Sequence, residues 1–264
     1  MYMVKEICLP ETLQEAYDVV MAKRTNTLLG GCTFLKLGRK SIQTGVDLGK
    51  LQLNQIEVNE QSIILGASVT YYDIETNEFL QRFANGVLTK AIQGIVGTQF
   101  RRSVTVGASV FSKYGFSDFI PALLALKADV ELFGQGRMSL EEFLQKPYQK
   151  DILVHVIIPR QPKIRASYQC VRLNATDFPI LNVVVSRVGT EVTVVVGARP
   201  AVAKIAHRVS EQLSTADLKD MQAVKEIVKT LATELSYQDN MRATAEYRKA
   251  MAQVLALRAL KEVQ

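Results

Sequence analysis

Two short segments that combine glycine with small residues are the parts of the sequence best suited to chemistry. The first is Leu28-Leu29-Gly30-Gly31-Cys32-Thr33-Phe34-Leu35, and the second is Ser103-Val104-Thr105-Val106-Gly107-Ala108-Ser109. Glycine has no Cβ, so successive backbone N–H groups in such a segment can approach an anion closely. A run of such amides can hold a pyrophosphate without a lysine. Taken alone, the first segment is explained more simply as a tight turn between a strand and a helix.

Three charged residues lie close to the second segment. The carboxylate of Asp118 can accept hydrogen bonds from sugar-type hydroxyls, or Asp118 can cap the following helix together with Ser117. Arg101 and Arg102 could neutralise a phosphate, although adjacent charges more often lie on a solvated loop. The neighbourhood therefore suits a phosphorylated, sugar-containing ligand without requiring one.

The two histidines, His155 and His207, have no nucleophile or ligand partner at suggestive spacing, so we expect both to be structural. The sequence shows no convincing catalytic triad, zinc signature or P-loop, and we predict no catalytic residue in this chain. If the protein takes part in catalysis, the reactive chemistry should belong to a bound cofactor.

The bulk properties narrow the class of protein. The chain has 264 residues, 48% of them hydrophobic, which is ordinary for a globular protein with a substantial core. Cys8, Cys32 and Cys170 form no CxxC pair, so we predict no metal or iron–sulfur site and expect a reducing cytoplasm. The basic residues behind the net charge of +6 are scattered, which disfavours nucleic acid. No stretch is apolar for long enough to span a bilayer, and the first residues do not resemble a secretory signal.

The residue pattern around these segments predicts an α+β chain in two parts. Thr12 and Glu15, in capping-box spacing, begin the first predicted helix. Pro159-Arg160-Gln161-Pro162 is the best linker candidate, because proline resists both helix and central strand. We expect helices at about 12–22 and 117–128, strands at 27–29, 56–58, 62–65, 129–133 and 152–158, a loop at 94–107, then strands at 166–173, 180–188 and 191–198, and helices at 201–213, 216–235 and 243–262.

In this order, the two glycine segments resemble those of the FAD-binding medium subunits of the molybdenum hydroxylases, the xanthine dehydrogenase and carbon-monoxide dehydrogenase flavoprotein family. The family's GG(G/N/H)(T/S) turn matches Gly30-Gly31-Cys32-Thr33, and its T(I/V)GG(N/S) segment matches Thr105-Val106-Gly107-Ala108-Ser109. Further matches are Ser117-Asp118 before Pro121-Ala122-Leu123, Val156-Ile157-Ile158-Pro159, and Tyr247-Arg248-Lys249-Ala250-Met251. The ordered set is more specific than any single motif and covers nearly the whole chain.

The resemblance implies a fold and a set of FAD contacts. It implies an FAD-binding domain at 1–160 with α+β subdomains at about 1–55 and 56–160, and a C-terminal flavoprotein domain at 163–264 with a three-stranded antiparallel sheet and helices. The two glycine segments would lie together and hold the pyrophosphate, and Asp118 would bind ribityl hydroxyls. The implied cofactor-binding residues are Leu28, Leu29, Gly30, Gly31, Cys32, Thr33, Phe34, Leu35, Ile95, Thr105, Val106, Gly107, Ala108, Ser109, Asp118, Ile152, Leu153 and Gln169.

Two residues depart from the family's pattern. Ala108 stands where the family usually has the second glycine of its pair, and Phe34 stands where it usually has Asp or Leu. A methyl group at Ala108 would crowd the phosphates if that residue needed a positive φ. Weaker retention of FAD is the expected consequence.

The function that the resemblance implies is an electron relay. Electrons would pass from a molybdopterin-binding large subunit, through iron–sulfur clusters on another partner subunit, to FAD on this chain and then to NAD or another acceptor. A stand-alone flavin oxidase is one alternative, although the chain offers no candidate base. A flavin-free assembly subunit is the other, with Ala108 and Phe34 as signs of a decayed site.

Overall fold

The computed structural model describes residues 3–264, whose contacts group into two compact units. Unit 1 takes the described residues up to Asp73 together with Thr98–Ser112 and Ala128–Pro159. Unit 2 takes Ile74–Gly97, Lys113–Lys127 and Arg160–Gln264. The expected mixture of helices and strands is confirmed. No helix within residues 3–264 is both long and apolar enough to cross a membrane.

The strands alternate with short helices in the first part of the chain and are grouped in the second. The strands are β1 (Met3–Cys8), β2 (Thr27–Leu29), β3 (Ser41–Asp47), β4 (Ile56–Val58), β5 (Ser62–Gly66), β6 (Asp129–Leu132), β7 (Gly136–Ser139), β8 (Leu153–Pro159), β9 (Arg165–Val171), β10 (Leu181–Val188), β11 (Glu191–Gly197) and β12 (Lys204–Ile205). The helices are α1 (Leu13–Ala22), α2 (Tyr71–Thr76), α3 (Glu78–Arg82), α4 (Val87–Ile92), α5 (Thr98–Arg101), α6 (Val106–Phe111), α7 (Phe119–Ala125), α8 (Leu140–Gln145), α9 (His207–Thr215), α10 (Met221–Lys229), α11 (Leu231–Glu234) and α12 (Ala245–Val263).

A parallel three-stranded sheet in unit 1, in the order β1-β3-β2, leads into the first glycine segment. The predicted helix α1 begins where expected, because Thr12 Oγ1 accepts a hydrogen bond from the Glu15 N–H. The central strand β3 was not predicted, since Gly45 interrupts its apolar pattern. A Cβ at Gly45 would lie 2.6 Å from Leu29 Cδ1, so this glycine lets β2 pack closely on β3.

A second sheet in unit 1, in the order β4-β5-β8-β6-β7, is antiparallel and fixes the second glycine segment. The predicted hairpin is its β4–β5 pair. Just after β5, the main chain binds the second segment: Val69 and Ala67 carbonyls accept from the N–H groups of Val106 and Gly107, at 2.8 Å each. The Tyr71 N–H donates in turn to the Val104 carbonyl. The predicted loop at 94–107 is thus partly wrong, because it contains α5 and the start of α6.

Unit 2 is built on a four-stranded antiparallel sheet, in the order β12-β11-β10-β9. The prediction of three strands was wrong because it missed β12. This strand has only two residues and pairs with Val195 and Val196 of β11. Two residues show no alternation, so sequence periodicity could not reveal them. Because Lys204 and Ile205 belong to this sheet, α9 begins at His207 rather than near residue 201. Alternate residues of β10 and β11, including Val183, Val185, Val194 and Val196, pack in one apolar core with α9, α10 and α12.

Arg248 of α12 is only 1% exposed and organises the loop before its helix. Its guanidinium donates to the carbonyls of Ile180, Gln238 and Ala243 at 2.7–2.9 Å and to Asn240 Oδ1 at 2.7 Å. A planar group with five donors can satisfy several carbonyls at once, which lysine cannot do. Arg248 therefore ties the 238–243 loop to β10.

We expect Arg248→Ala to lower the free energy of unfolding of unit 2 by about 3 kcal/mol, because several buried acceptors lose their donor. Thermal unfolding followed by circular dichroism measures the change. Lys249→Ala, at the exposed neighbouring position, is the matched control and should leave the midpoint nearly unchanged. Equal midpoints for the two variants would contradict this role of Arg248.

Candidate functional site

The first glycine segment continues from β2 and contains three successive backbone amides, those of Gly31, Cys32 and Thr33. The N–H groups of Gly31, Cys32 and Thr33 donate to no acceptor in the described part of the chain. Cys32 has a left-handed φ of 56°, whereas Gly30 and Gly31 do not. A left-handed residue beside a right-handed one turns successive amides into a concave anion site. All three residues are half-buried, so a ligand can reach these amides.

The second glycine segment lies directly against the first within unit 1. A Cβ built on Gly31 would lie 1.2 Å from the Ser103 carbonyl oxygen. A Cβ on Gly30 would lie 3.0 Å from Ala108 Cβ and 3.1 Å from Thr105 Oγ1. The structure therefore brings the two segments together, and glycine is required at position 31 by a backbone-to-backbone contact.

The amides of the second segment are mostly engaged within the protein. Val106 and Gly107 donate to the chain after β5, as described above, and the Ala108 N–H lies 3.4 Å from Thr105 Oγ1. Ala108 is inside α6 and has no positive φ, so its methyl group causes no backbone strain. The departure from glycine at this position is therefore compatible with the local backbone. Of the two segments, it is chiefly the first that has backbone N–H groups without an acceptor among the described residues.

The Cys32 side chain is folded back on its own segment. Its Sγ donates to the Gly30 carbonyl at 3.1 Å. Burial, and then the negative charge of Asp47, raise the pKa of the Cys32 thiol above its ordinary value. The thiol is therefore a neutral donor at physiological pH and a poor nucleophile.

Asp118 lies in a buried polar network of unit 2. Its Oδ1 is 2.9 Å from Arg172 Nη2 and 3.2 Å from Asn182 Nδ2, and it also accepts from the Tyr168 hydroxyl. Burial raises the pKa of Asp118, against the opposing effect of Arg172 and the hydrogen bonds from Tyr168 and Asn182. Ser117 Oγ accepts from the Ile120 N–H and caps α7, whereas the Asp118 side chain makes no capping bond. Asp118 thus has a set of protein partners that sequence reasoning missed.

The remaining predicted contacts lie in both units. In unit 1, Ile152 and Leu153 are buried where β8 begins. In unit 2, Ile95 follows α4 and is half-buried, and Gln169 Nε2 donates to Glu262 Oε1 at 2.8 Å. Their contacts with a cofactor stay predictions.

The two arginines near the second segment differ, because Arg101 is buried whereas Arg102 is exposed in the turn after α5. Arg101 is 7% exposed at the end of α5. Arg102 stacks over the ring of Tyr72, with 3.9 Å between the guanidinium carbon and the ring centroid. The expected solvated loop therefore fits Arg102 but not Arg101, and nothing in the sequence indicated the cation–π contact that Arg102 makes.

Comparison with known proteins covers nearly the whole chain. The family model described as the FAD binding domain in molybdopterin dehydrogenase matches residues 3–161, and the CO dehydrogenase flavoprotein C-terminal domain matches residues 166–263. The glyceraldehyde dehydrogenase medium chain of Sulfolobus acidocaldarius is 24% identical over 270 residues, covering 96% of each chain.

Two solved structures share the fold at low sequence identity. A chain of the reconstituted CO dehydrogenase from Oligotropha carboxidovorans superposes with a TM-score of 0.88 at 20% identity, covering 99% of this chain and 97% of that one. A chain of quinoline 2-oxidoreductase from Pseudomonas putida 86 gives 0.86 at 18% identity, with coverage of 99% and 97%.

We expect Gly31→Ala to separate the two glycine segments, because the new methyl group would overlap the Ser103 carbonyl. The expected loss in the free energy of unfolding of unit 1 is about 2 kcal/mol, as for an overpacked core. Gly38→Ala is the matched control, since its Cβ would meet the Leu35 carbonyl oxygen at an ordinary 3.4 Å. Chemical denaturation of both variants measures the difference, and equal stability would contradict the close approach.

We expect Asp118→Ala to reduce the stability of unit 2 by about 3 kcal/mol, because the largely buried Arg172 guanidinium loses its carboxylate partner. Asp177→Ala, which removes the half-exposed partner of Arg242, should cost about 1 kcal/mol or less. Thermal unfolding of both variants tests this order. A reversed order would show that the Asp118 network does not hold unit 2 together.

Proposed function

Because this chain belongs to the FAD-binding family of the molybdopterin dehydrogenases, we propose that it relays electrons from iron–sulfur clusters on a partner subunit, through FAD, to a separate acceptor. The single observation that carries the proposal at the level of residues is the row of unpaired amides at Gly31, Cys32 and Thr33. Three successive N–H donors without an acceptor among residues 3–264 suit a diphosphate, which carries negative charge on oxygens with many lone pairs. The residues present therefore fit the group that the family binds.

Within unit 1, each glycine segment has its own task in this proposal. The amides of Gly31, Cys32 and Thr33 bind the diphosphate of FAD. The second segment supports them through the contact between Ser103 and Gly31, and it adds the hydroxyl of Thr105 beside Gly30. Main-chain donors held by packing need no reorganisation when the ligand arrives, which favours tight binding.

The redox chemistry comes from the cofactor, which when bound exchanges single electrons with iron–sulfur clusters and electron pairs with a soluble acceptor. The chain's own contribution is to bind and orient the cofactor. Asp118, Ile95, Ile152, Leu153 and Gln169 are proposed as further contacts, with Asp118 acting on ribityl hydroxyls. This division of tasks agrees with the lack of a catalytic side-chain arrangement in the sequence.

The partners proposed for the chain are a molybdopterin-binding large subunit and an iron–sulfur subunit. The match to a molybdopterin dehydrogenase family and to a relative named as a medium chain supports this assembly. The substrate would bind on the large subunit, so neither a xanthine-like nor an aldehyde-like substrate follows from this chain. We also propose that NAD is the electron acceptor and that the complex lies in the cytoplasm.

We expect the chain, purified with its partner subunits, to contain FAD and to prefer it over FMN by at least tenfold in dissociation constant. FMN has a single phosphate and lacks the diphosphate that the amides would bind; a tenfold preference corresponds to about 1.4 kcal/mol. Fluorescence titration of the flavin-stripped complex measures both constants. ADP should compete with FAD, and AMP should compete much less. A complex that takes up neither flavin would refute the proposal.

A further inference from the structure

The peptide between Gly30 and Gly31 is the only one in the first glycine segment that joins two glycines. A glycine on each side lets the peptide plane rotate at little steric cost. The described chain contains no cis peptide, and in a trans peptide the carbonyl and the N–H point in opposite directions. Rotation of this plane would therefore exchange the Gly31 N–H, a donor, for the Gly30 carbonyl, an acceptor, on the ligand side.

The thiol of Cys32 is the group that opposes this rotation. Its Sγ lies 3.1 Å from the Gly30 carbonyl oxygen and donates to it. While that bond holds the carbonyl, the Gly31 N–H must point the other way, and it has no acceptor in the part of the chain that the structure describes. The left-handed backbone of Cys32 keeps the side chain within reach of the carbonyl two residues earlier.

We propose that Cys32 is a positioning residue for the FAD site, whose thiol holds the Gly30–Gly31 peptide with its N–H directed at the diphosphate. The inference rests on the proposed function and goes beyond it, because it gives the side chain at position 32 a task separate from its backbone amide. Rotated by half a turn, the same peptide would present a carbonyl oxygen to the diphosphate and repel it.

The chemistry of position 32 agrees with this task. The side chain must be a donor, so a carboxylate would fail and a protonated thiol or a hydroxyl would serve. Burial and Asp47 raise the pKa of Cys32, which keeps the thiol protonated at neutral pH. A neutral thiol also places no negative charge beside the phosphates.

A substitution series at position 32 separates the side-chain bond from the backbone. Cys32→Ser keeps a donor and should bind FAD within about twofold of the wild type. Cys32→Ala removes the donor and should weaken FAD binding by about tenfold, or about 1.4 kcal/mol. Cys32→Gly should be as weak as Cys32→Ala, although glycine favours the left-handed backbone. Each constant is measured by titrating the flavin-stripped complex.

The thermal midpoint without flavin distinguishes positioning from a structural role. We expect it to stay within a few degrees of the wild type for all three variants, since the loop is half-exposed. Equal FAD affinity for the alanine and wild-type chains would overturn the proposal. So would weak binding by the serine chain at an unchanged midpoint. A wild-type complex that binds no FAD would remove the proposed function itself, and the inference with it.

Alkylation of the thiol gives a readout that does not depend on flavin binding by variants. ADP, whose diphosphate would hold the Gly30–Gly31 peptide and thereby the bond from the thiol, should slow the modification of Cys32 by N-ethylmaleimide in the wild-type complex at alkaline pH, as followed by mass spectrometry. Cys8, at the end of β1, is the internal control and should react at the same rate with and without ADP. A Cys32 rate that ADP leaves unchanged would contradict the coupling between this thiol and the diphosphate site.

Discussion

The contact between the backbone at Gly31 and the carbonyl of Ser103 is the constraint on which the candidate site depends. A side chain at position 31 would overlap that carbonyl, so the two segments can meet only through glycine. The backbone amides near this contact fall into two groups. Those of Val106 and Gly107 are used to hold the second segment on the chain after β5. Those of Gly31, Cys32 and Thr33 have no acceptor within residues 3–264, so the first segment is the one that can donate to a ligand.

The elements that place these segments differ in how visible they are in the sequence. The helix α1, the strand β2 and the β4–β5 hairpin follow from capping residues and short apolar runs, which are local signals. The central strand β3 has a glycine at position 45, which leaves room for the side chain of Leu29 from the neighbouring strand β2. The two-residue strand β12 exists because β11 offers an edge to pair with. Such features come from tertiary contacts, which a single sequence does not reveal.

Some features of the candidate site could likewise be predicted from the sequence, whereas others depend on tertiary contacts. The small residues at 30–33 and 105–109 indicated from the sequence which segments would meet. The sequence could not reveal that one segment donates amides while the other supports it, because that depends on the partners found by Val106 and Gly107. The left-handed backbone of Cys32 and the hydrogen bonds that Asp118 accepts from Tyr168 and Asn182 were equally invisible. The methyl group of Ala108, which we expected to crowd the phosphates only if that residue needed a positive φ, lies in helical backbone and introduces no strain.

The central claim is that the amides of the first segment bind a diphosphate. Hydrogen–deuterium exchange of the peptide spanning residues 28–35, in the complex with its partner subunits, tests it most directly. Unpaired amides exchange rapidly, so this peptide should exchange fast in the flavin-stripped complex and slow on adding FAD or ADP, with AMP having little effect. Exchange in this peptide that neither FAD nor ADP changes, while FAD demonstrably binds, would contradict the account.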